Sequence, residues 1–463
     1  MTESAGVEGR GAVTSPFYAR GVGLHRTGQV SAALDDYLRA LANQPDHPEI
    51  LLAIAAVLHD LERYVDALTV YRRLQAMGVD CRRLHHNLGN TLLALDHYQE
   101  AIESYGRAIV LDPDDVEAMV TMGTAIEQLG KYRQALLCYE EALRRRPDSA
   151  EAHWNLALGL LRFGEYERGW EEFAWRWRKK GYTTELRQFA APIWQGEPLT
   201  GKRILVHAEQ ALGDTLQFAR YLQMVASSGG ELYFECPAPL VPLLATLPFV
   251  RQVFAAGERL PVVDFQLPLL SLPGLFRTTL DTIPAKFPYL TPPRERVSRW
   301  QEELGPAGNS RRIGLVWAGR RRPDPHRSCS LAELAPLARL TGVSYYSLQV
   351  GAGAEQAATP PSGMELIDLT GKIADFADTA ALVAGLDLVI TIDTSVAHLA
   401  GGMGKPTFLL LPAAADWRWK LDRKDSPWYP SMVLFRQRIL GDWSLPVSEV
   451  AAELESWLRA DRN

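Results

Sequence analysis

The feature that most constrains this chain is a register of 34 residues running through its first part. A small residue recurs at Gly21, Ala55, Gly89, Gly123 and Ala157, and a second at Ala33, Ala67, Ala101, Ala135 and Gly169. An aromatic stands four positions after each of the second set, at Tyr37, Tyr71, Tyr105, Tyr139 and Phe173. Four positions is about one helical turn, so the pair shares a face. The small side chains let helices approach, and the aromatic fills the groove between them. Pro45, Pro113 and Pro147 close three of the copies, where a ring that cannot continue a helix stops it; Val79 and Gly181 stand there in the others. Five copies starting near Phe17, Leu51, His85, Met119 and His153 cover residues 17–186, behind a tail of residues 1–16.

This pattern resembles the tetratricopeptide repeat. The resemblance implies helical hairpins that cannot bury their apolar faces alone and stack into a superhelix with a concave groove. Such a groove would hold a protein or peptide partner, while the repeating columns themselves read as packing positions. Asp112-Pro113-Asp114 has the D-x-D form that holds a nucleotide diphosphate through a cation. Its proline is the repeat-closing column, however, so both aspartates fall on a loop between hairpins and read as turn and cap residues. Arg144, Arg145 and Arg146 read as a solvated helix end, where cations suit the dipole.

A chain of 463 residues is too long for one small binding module and predicts two or three domains. Its net charge is −6, which excludes the strongly basic balance of a general nucleic-acid binder. The surplus sits in residues 1–186, with 21 Lys and Arg against 27 Asp and Glu; the remainder balances at 28 of each sign. Cys81, Cys138, Cys236 and Cys329 lie far apart with no C-x-x-C pair, which suggests neither a zinc site nor a disulfide framework. No signal-like or membrane-length apolar run is visible, so the chain reads as soluble and cytoplasmic, with no transmembrane segment.

After Trp175-Arg176-Trp177-Arg178-Lys179-Lys180 the register fades into a linker at residues 187–199. Short β-rich runs then alternate with amphipathic stretches, at Ile204–His207, Glu231–Glu235, Asp264–Leu267, Ile313–Trp317, Tyr345–Leu348, Leu388–Ile392 and Thr407–Leu411. That alternation predicts parallel α/β architecture, with Rossmann-like halves at residues 200–293 and 309–463 and a hinge over Pro288–Gly308. Ligands of such paired halves bind beyond the C-terminal strand ends. Two loops stand there. Glu209, Gln210, Gly213 and Asp214 follow the first strand, and Asp214 at a helix start either caps free N–H groups or faces the cleft as a general base. Asp393, Thr394, Ser395, Val396 and His398 follow the strand Leu388–Ile392 and outline a phosphate cradle at a helix N-terminus, with Asp393 either capping or accepting from sugar hydroxyls.

Asp368-Leu369-Thr370-Gly371-Lys372, then Asp393-Thr394-Ser395 with His398, then Gly404-Lys405-Pro406, is similar to the donor-binding half of glycosyltransferase family 9, the heptosyltransferases. The resemblance takes in Gly213-Asp214 and Ile313-Gly314-Leu315-Val316-Trp317-Ala318-Gly319, and so covers residues 200–445. Glu209-Gln210 before Gly213-Asp214, and Asp416-Trp417-Arg418-Trp419 with Asp425-Ser426-Pro427-Trp428-Tyr429-Pro430, are similar to signatures of a bacterial subgroup that joins tetratricopeptide repeats to this domain. It implies a GT-B fold, inverting transfer from a nucleotide-sugar and no required metal or other cofactor. It further implies Asp214 as catalytic base and Asp393, Thr394 and Ser395 as ligands of donor sugar and diphosphate, with Val396 and His398 in the helix behind. Ser395 replaces the glycine usual in heptosyltransferases, and Arg327-Ser328 stands where they commonly carry a lysine for the leaving group. The neighbouring Arg320-Arg321-Arg322 suits an anionic donor or a solvated loop equally. Trp317, Gly319, Thr370 and Gly371 complete the donor-side candidates, and Trp417, Trp419 and Trp428 either stack on sugar or base or pack internally. The expected function is sugar transfer onto a protein held by the repeats, a flagellin or other surface protein by likeness to flagellin glycosyltransferases. The alternatives are transfer onto lipopolysaccharide-type glycans and a non-catalytic repeat scaffold with a degenerate nucleotide-sensing half.

Overall fold

The structure, a computed structural model, describes residues 13, 15–182, 187–306, 308–320 and 325–460. Most of the expected N-terminal tail, residues 183–186 of the fifth copy, and Arg321 and Arg322 lie outside the described residues. The chain divides into two compact units, residues 1–159 and 160–463.

The first unit is a stack of helical hairpins: α1 (Pro16–Arg26) with α2 (Val30–Asn43), α3 (Pro48–Asp60) with α4 (Tyr64–Ala76), α5 (Arg82–Ala94) with α6 (Tyr98–Leu111), and α7 (Val116–Gln128) with α8 (Tyr132–Arg145). The small-residue column has a direct steric cause. A methyl group on Gly21 would lie 2.7 Å from the Tyr37 ring, and one on Gly89 would lie 2.6 Å from Tyr105. Tyr37, Tyr71, Tyr105 and Tyr139 are all buried, as are Ala33, Ala67, Ala101 and Ala135. Between the third and fourth hairpins, Asp112 accepts from the Asp114 amide at 3.1 Å and Asp115 caps α7 by accepting from the Ala118 amide at 3.0 Å. The D-x-D stretch is therefore a turn, and Asp115 is the cap.

Helix α9 (Ala150–Phe163) runs past residue 160, and α10 (Tyr166–Phe173) with the 3-10 turn Ala174–Arg178 lies within the second unit. Two all-parallel sheets follow. The first comprises β1 (Arg203–His207), β2 (Glu231–Cys236), β3 (Gln252–Ala255) and β4 (Phe265–Pro268), in the order β3-β2-β1-β4. The second holds β5 (Arg311–Val316), β6 (Val343–Ser347), β7 (Leu366–Asp368), β8 (Leu388–Ile392), β9 (Thr407–Leu411) and β10 (Met432–Arg436), in the order β10-β9-β8-β5-β6-β7. The accompanying helices are α11 (Leu212–Phe218), α12 (Leu222–Ala226), α13 (Val241–Leu244) and α14 (Leu272–Leu275), then α15 (Arg294–Leu304), α16 (Phe376–Ala384), α17 (Ser395–Gly402) and α18 (Ser444–Ala460).

All seven expected runs form strands, and β3, β7 and β10 are additions, each at a sheet edge. The segment expected as a hinge carries α15 at its centre, fixed to α16. The fully buried Asp378 carboxylate of α16 accepts from Arg296 at 2.7 Å, from Arg299 and from the Trp300 indole at 3.2 Å. Among the described residues, no helix is long and apolar enough to cross a membrane.

Candidate functional site

Both candidate loops leave the C-terminal ends of central strands, β1 and β8, and they meet. A methyl group on Gly213 would stand 2.8 Å from His398 Cδ2 and 3.6 Å from Ser395 Cα, so α11 and α17 start against each other because this position has no side chain. Gln210, just before, holds φ at +64°, a left-handed conformation unfavourable for a residue with a Cβ, and its amide donates to Tyr182 at 2.9 Å.

A third segment, the turn Asp416–Lys420 after β9, supplies a guanidinium between the two loops. Arg418 donates to Asp214 Oδ1, to Gln217 Oε1 and, at 3.0 Å, to Asp416 Oδ1. The other Asp214 oxygen accepts from the Ala211 amide at 3.0 Å, so Asp214 caps α11 while also facing Arg418. Its side chain is 13% exposed. Burial pushes the Asp214 carboxyl above its ordinary range, with Arg418 pulling the other way. Burial would also weaken the charge on Arg418, but Asp416 and Asp214 beside it hold the guanidinium above its ordinary value.

Asp393 at the tip of β8 is pushed up to about 6 by burial and by Asp416, against the Trp419 indole, Arg418 and Arg327. The indole of Trp419 donates to Asp393 Oδ2 at 2.8 Å and its ring stacks on His398, 5.5 Å between centroids. His398 Nδ1 and the Tyr429 hydroxyl lie 2.8 Å apart, and burial, with Arg418 and Arg220, holds His398 well below its ordinary value and therefore neutral. Thr394 stands at the N-cap of α17 and Ser395 opens the helix, with no side chain capping it. Val396 is buried one residue further on.

The loop after β5 brings in Arg327. Its guanidinium lies on Gly319, where a methyl group would sit 3.2 Å from Nε, and it donates to the Arg320 carbonyl at 3.2 Å. Ser328 Oγ accepts from the Gly319 amide at 3.0 Å. Trp317 is fully buried and donates to the Gly353 carbonyl at 3.0 Å. Thr370 and Gly371 stand beyond the edge strand β7, separated from β8 by β5 and β6, with Thr370 bonded to Asp368 at 2.7 Å. Glu209 faces inward. Its side chain is fully buried, paired with Arg176 at 2.8 and 2.9 Å and bonded to Tyr182 and the Leu270 amide.

The centre therefore gathers Gly213, Asp214, Asp393, Thr394, Ser395 and His398, with Arg327 within electrostatic reach. Arg418 and Gln217 had no assigned role in the sequence; an arginine flanked by Trp417 and Trp419 was the available signal. Trp417, Trp419 and Trp428 are buried; Trp417 and Trp428 pack edge to face, whereas Trp419 bonds Asp393 and stacks on His398.

Tetratricopeptide-repeat family models match residues 18–78 and 120–174, and residues 82–115. The chain contains tetratricopeptide repeats. Protein FlbA of Caulobacter vibrioides is 29% identical over 316 residues, 62% of this chain and 52% of that protein, so the chain spans about half the length of this curated relative. Among solved structures, MamA is 20% identical over 38% of this chain and 98% of its own, with a TM-score of 0.33. YrrB, described as a TPR protein with an unusual peptide-binding site, is 21% identical over 35% of this chain and 84% of its own, with a TM-score of 0.31.

Proposed function

We propose that this chain is an inverting, metal-independent glycosyltransferase of GT-B architecture. It moves a sugar from a nucleotide-sugar onto a protein acceptor, a flagellin or other surface protein held by the repeats, in the cytoplasm. The observation that carries this reading is that the Asp214 and Asp393 loops of two parallel sheets meet, Gly213 against His398 and Ser395, with Arg418 bonded to Asp214 and within electrostatic reach of Asp393. In this reading Asp393 accepts from hydroxyls of the donor sugar, while the start of α17 and Arg327 face its diphosphate. The acceptor oxygen attacks the anomeric carbon from the face opposite the nucleotide. The bond from that carbon to the phosphate oxygen breaks with its electron pair leaving on the nucleoside diphosphate, and the hydroxyl proton passes to Asp214. Both Asp214 oxygens are engaged, yet each keeps a lone pair for that hydroxyl, and a carboxyl raised by burial is a stronger base than a solvated one.

The same engagement of both oxygens favours a second reading, in which Asp214 only caps α11 and the chain is a scaffold that senses nucleotide. One experiment separates them. Wild type and Asp214→Asn are incubated with acceptor extract and a panel of nucleotide-sugars, and intact protein masses are recorded. The transferase reading expects a discrete hexose- or heptose-sized gain that falls about 100-fold or more in the variant, the scale of general-base catalysis. Nucleotide-dependent thermal stabilisation with no mass gain in either sample would favour the scaffold.

A further inference from the structure

The turn that carries Arg418 is gripped at both ends by the hairpin that closes the repeats. Before the turn, the Ala415 carbonyl accepts from Arg162 of α9 at 3.3 Å. After it, the Lys420 ammonium donates to the Leu161 carbonyl and sits over the Tyr166 ring of α10, 3.9 Å from its centroid. Between them, the Trp417 ring meets Trp170 of α10 edge-on at 5.6 Å, and the Trp170 indole donates to the Thr278 carbonyl at 3.0 Å. Lys420 holds φ at +59° and is buried, and burial, with Arg423 and Arg162 nearby, pushes its amine down to about 7, so these contacts help to hold a strained backbone and a desolvated amine in place. Packing alone would not need a lysine here. A methionine would fill the space without burying a polar amine.

We propose that the closing repeat hairpin, Leu160–Phe173, is a positioning element of the transfer site: it presents Arg418 to Asp214 and thereby sets the base. This deepens the transferase reading and rests on it. The hairpin touches no reacting atom. It acts on Asp214 through Lys420, the turn and Arg418, a chain of contacts that gives the repeat motif nearest the α/β half a catalytic duty apart from partner binding.

The groups facing Asp214 are few. Arg418 and Asp416 approach from the turn, Glu209 acts from its own loop, and Gln217 shares the guanidinium from α11. Neutral His398 lies against Gly213 from α17. Arg418 is the cation among them, so disengaging it leaves burial and two carboxylates to raise the Asp214 carboxyl, opposed by the Ala211 amide alone.

The test uses the full chain carrying Arg418→Gln, Arg418→Lys or Lys420→Met, with two readouts. The first is the pH profile of transfer. Arg418→Gln and Lys420→Met are expected to move the acidic limb of kcat/KM to higher pH and to lower kcat about 100-fold, the scale of an ångström misplacement of a catalytic group, with donor KM changed less than about twofold. Arg418→Lys is expected to restore the limb in part. The second readout needs no activity. It follows the carboxyl titration of Asp214 by 13C NMR in aspartate-labelled protein, assigned by difference against Asp214→Asn, and Arg418→Gln and Lys420→Met are each expected to raise the midpoint. A lowered melting temperature with an unmoved limb and an unmoved midpoint in Lys420→Met overturns the proposal and leaves the hairpin as packing. Absence of transfer in wild type sinks the transferase reading instead, and the titration still decides whether the hairpin sets Asp214.

Discussion

At the scale of single residues, the site is assembled by what is missing at Gly213 and by what is withheld from water at Asp393. The Asp393 carboxyl is pushed up to about 6 by burial first and Asp416 second. A carboxyl raised in the folded state stabilises the fold while protonated, and that contribution is lost as pH climbs from the unfolded value near 4 through about 6. Asp393→Asn is therefore expected to be more stable than wild type at pH 7.5, by about 3 kcal/mol, with the two converging at pH 4. Urea melts at the two pH values check this, and under the transferase reading the same variant loses donor affinity. Much of this centre was legible. Asp214 and Asp393 each follow an apolar strand and open a helix, a local signal that survives folding. Glu209 was not legible as a core residue, because its partner Arg176 lies 33 positions upstream and a carboxylate beside a glycine loop reads as exposed. The Arg418 contact to Asp214 crosses 204 positions, and an arginine between two tryptophans is a local signal that does not name its partner.

At the scale of elements, capping and column packing account for the repeats. Asp115 at the N-cap of α7 is nearly inaccessible and also meets His86 at 3.0 Å and Arg82 at 3.1 Å. Burial alone would raise this carboxyl, but the His86 bond, the Ala118 amide and Arg82 hold it down to about 2. Because the folded value is depressed, its contribution is present above about pH 4 and lost as pH falls toward 2. Asp115→Ala is expected to cost about 1–2 kcal/mol at pH 7. The gap to wild type should close progressively below pH 4, read by helical circular dichroism during thermal melts. Hairpin elements were the easiest to read, since the 34-residue period repeats one packing solution. The strands β3, β7 and β10 were not. Leu366–Asp368 is only three residues long, as edge strands often are, whereas Met432–Arg436 is an apolar run that passed unread.

At the scale of the whole molecule, the compact units are divided between residues 159 and 160, inside a sequence repeat. Periodicity reports where a motif recurs, whereas compactness follows which atoms share a core, and the fifth copy obeys both. Arg176 and Glu209 tie the end of that copy to the first sheet as a fully buried ion pair. Glu209→Gln is expected to destabilise the chain by about 3–5 kcal/mol, because it strands a desolvated guanidinium. Replacing both partners by Met and Leu should recover most of the loss, which a double-mutant cycle in denaturant would measure.

The hairpin's lodging in the second unit sets the terms on which genes of this kind can be recombined. Splicing a foreign repeat array at the motif's visible end, near residue 186, would strip Tyr166 and Trp170 away from Trp428 and Trp417 and leave an indole-rich scar open to water. A viable graft has to be joined upstream of residue 160. The α/β half would then be inherited together with its own last hairpin.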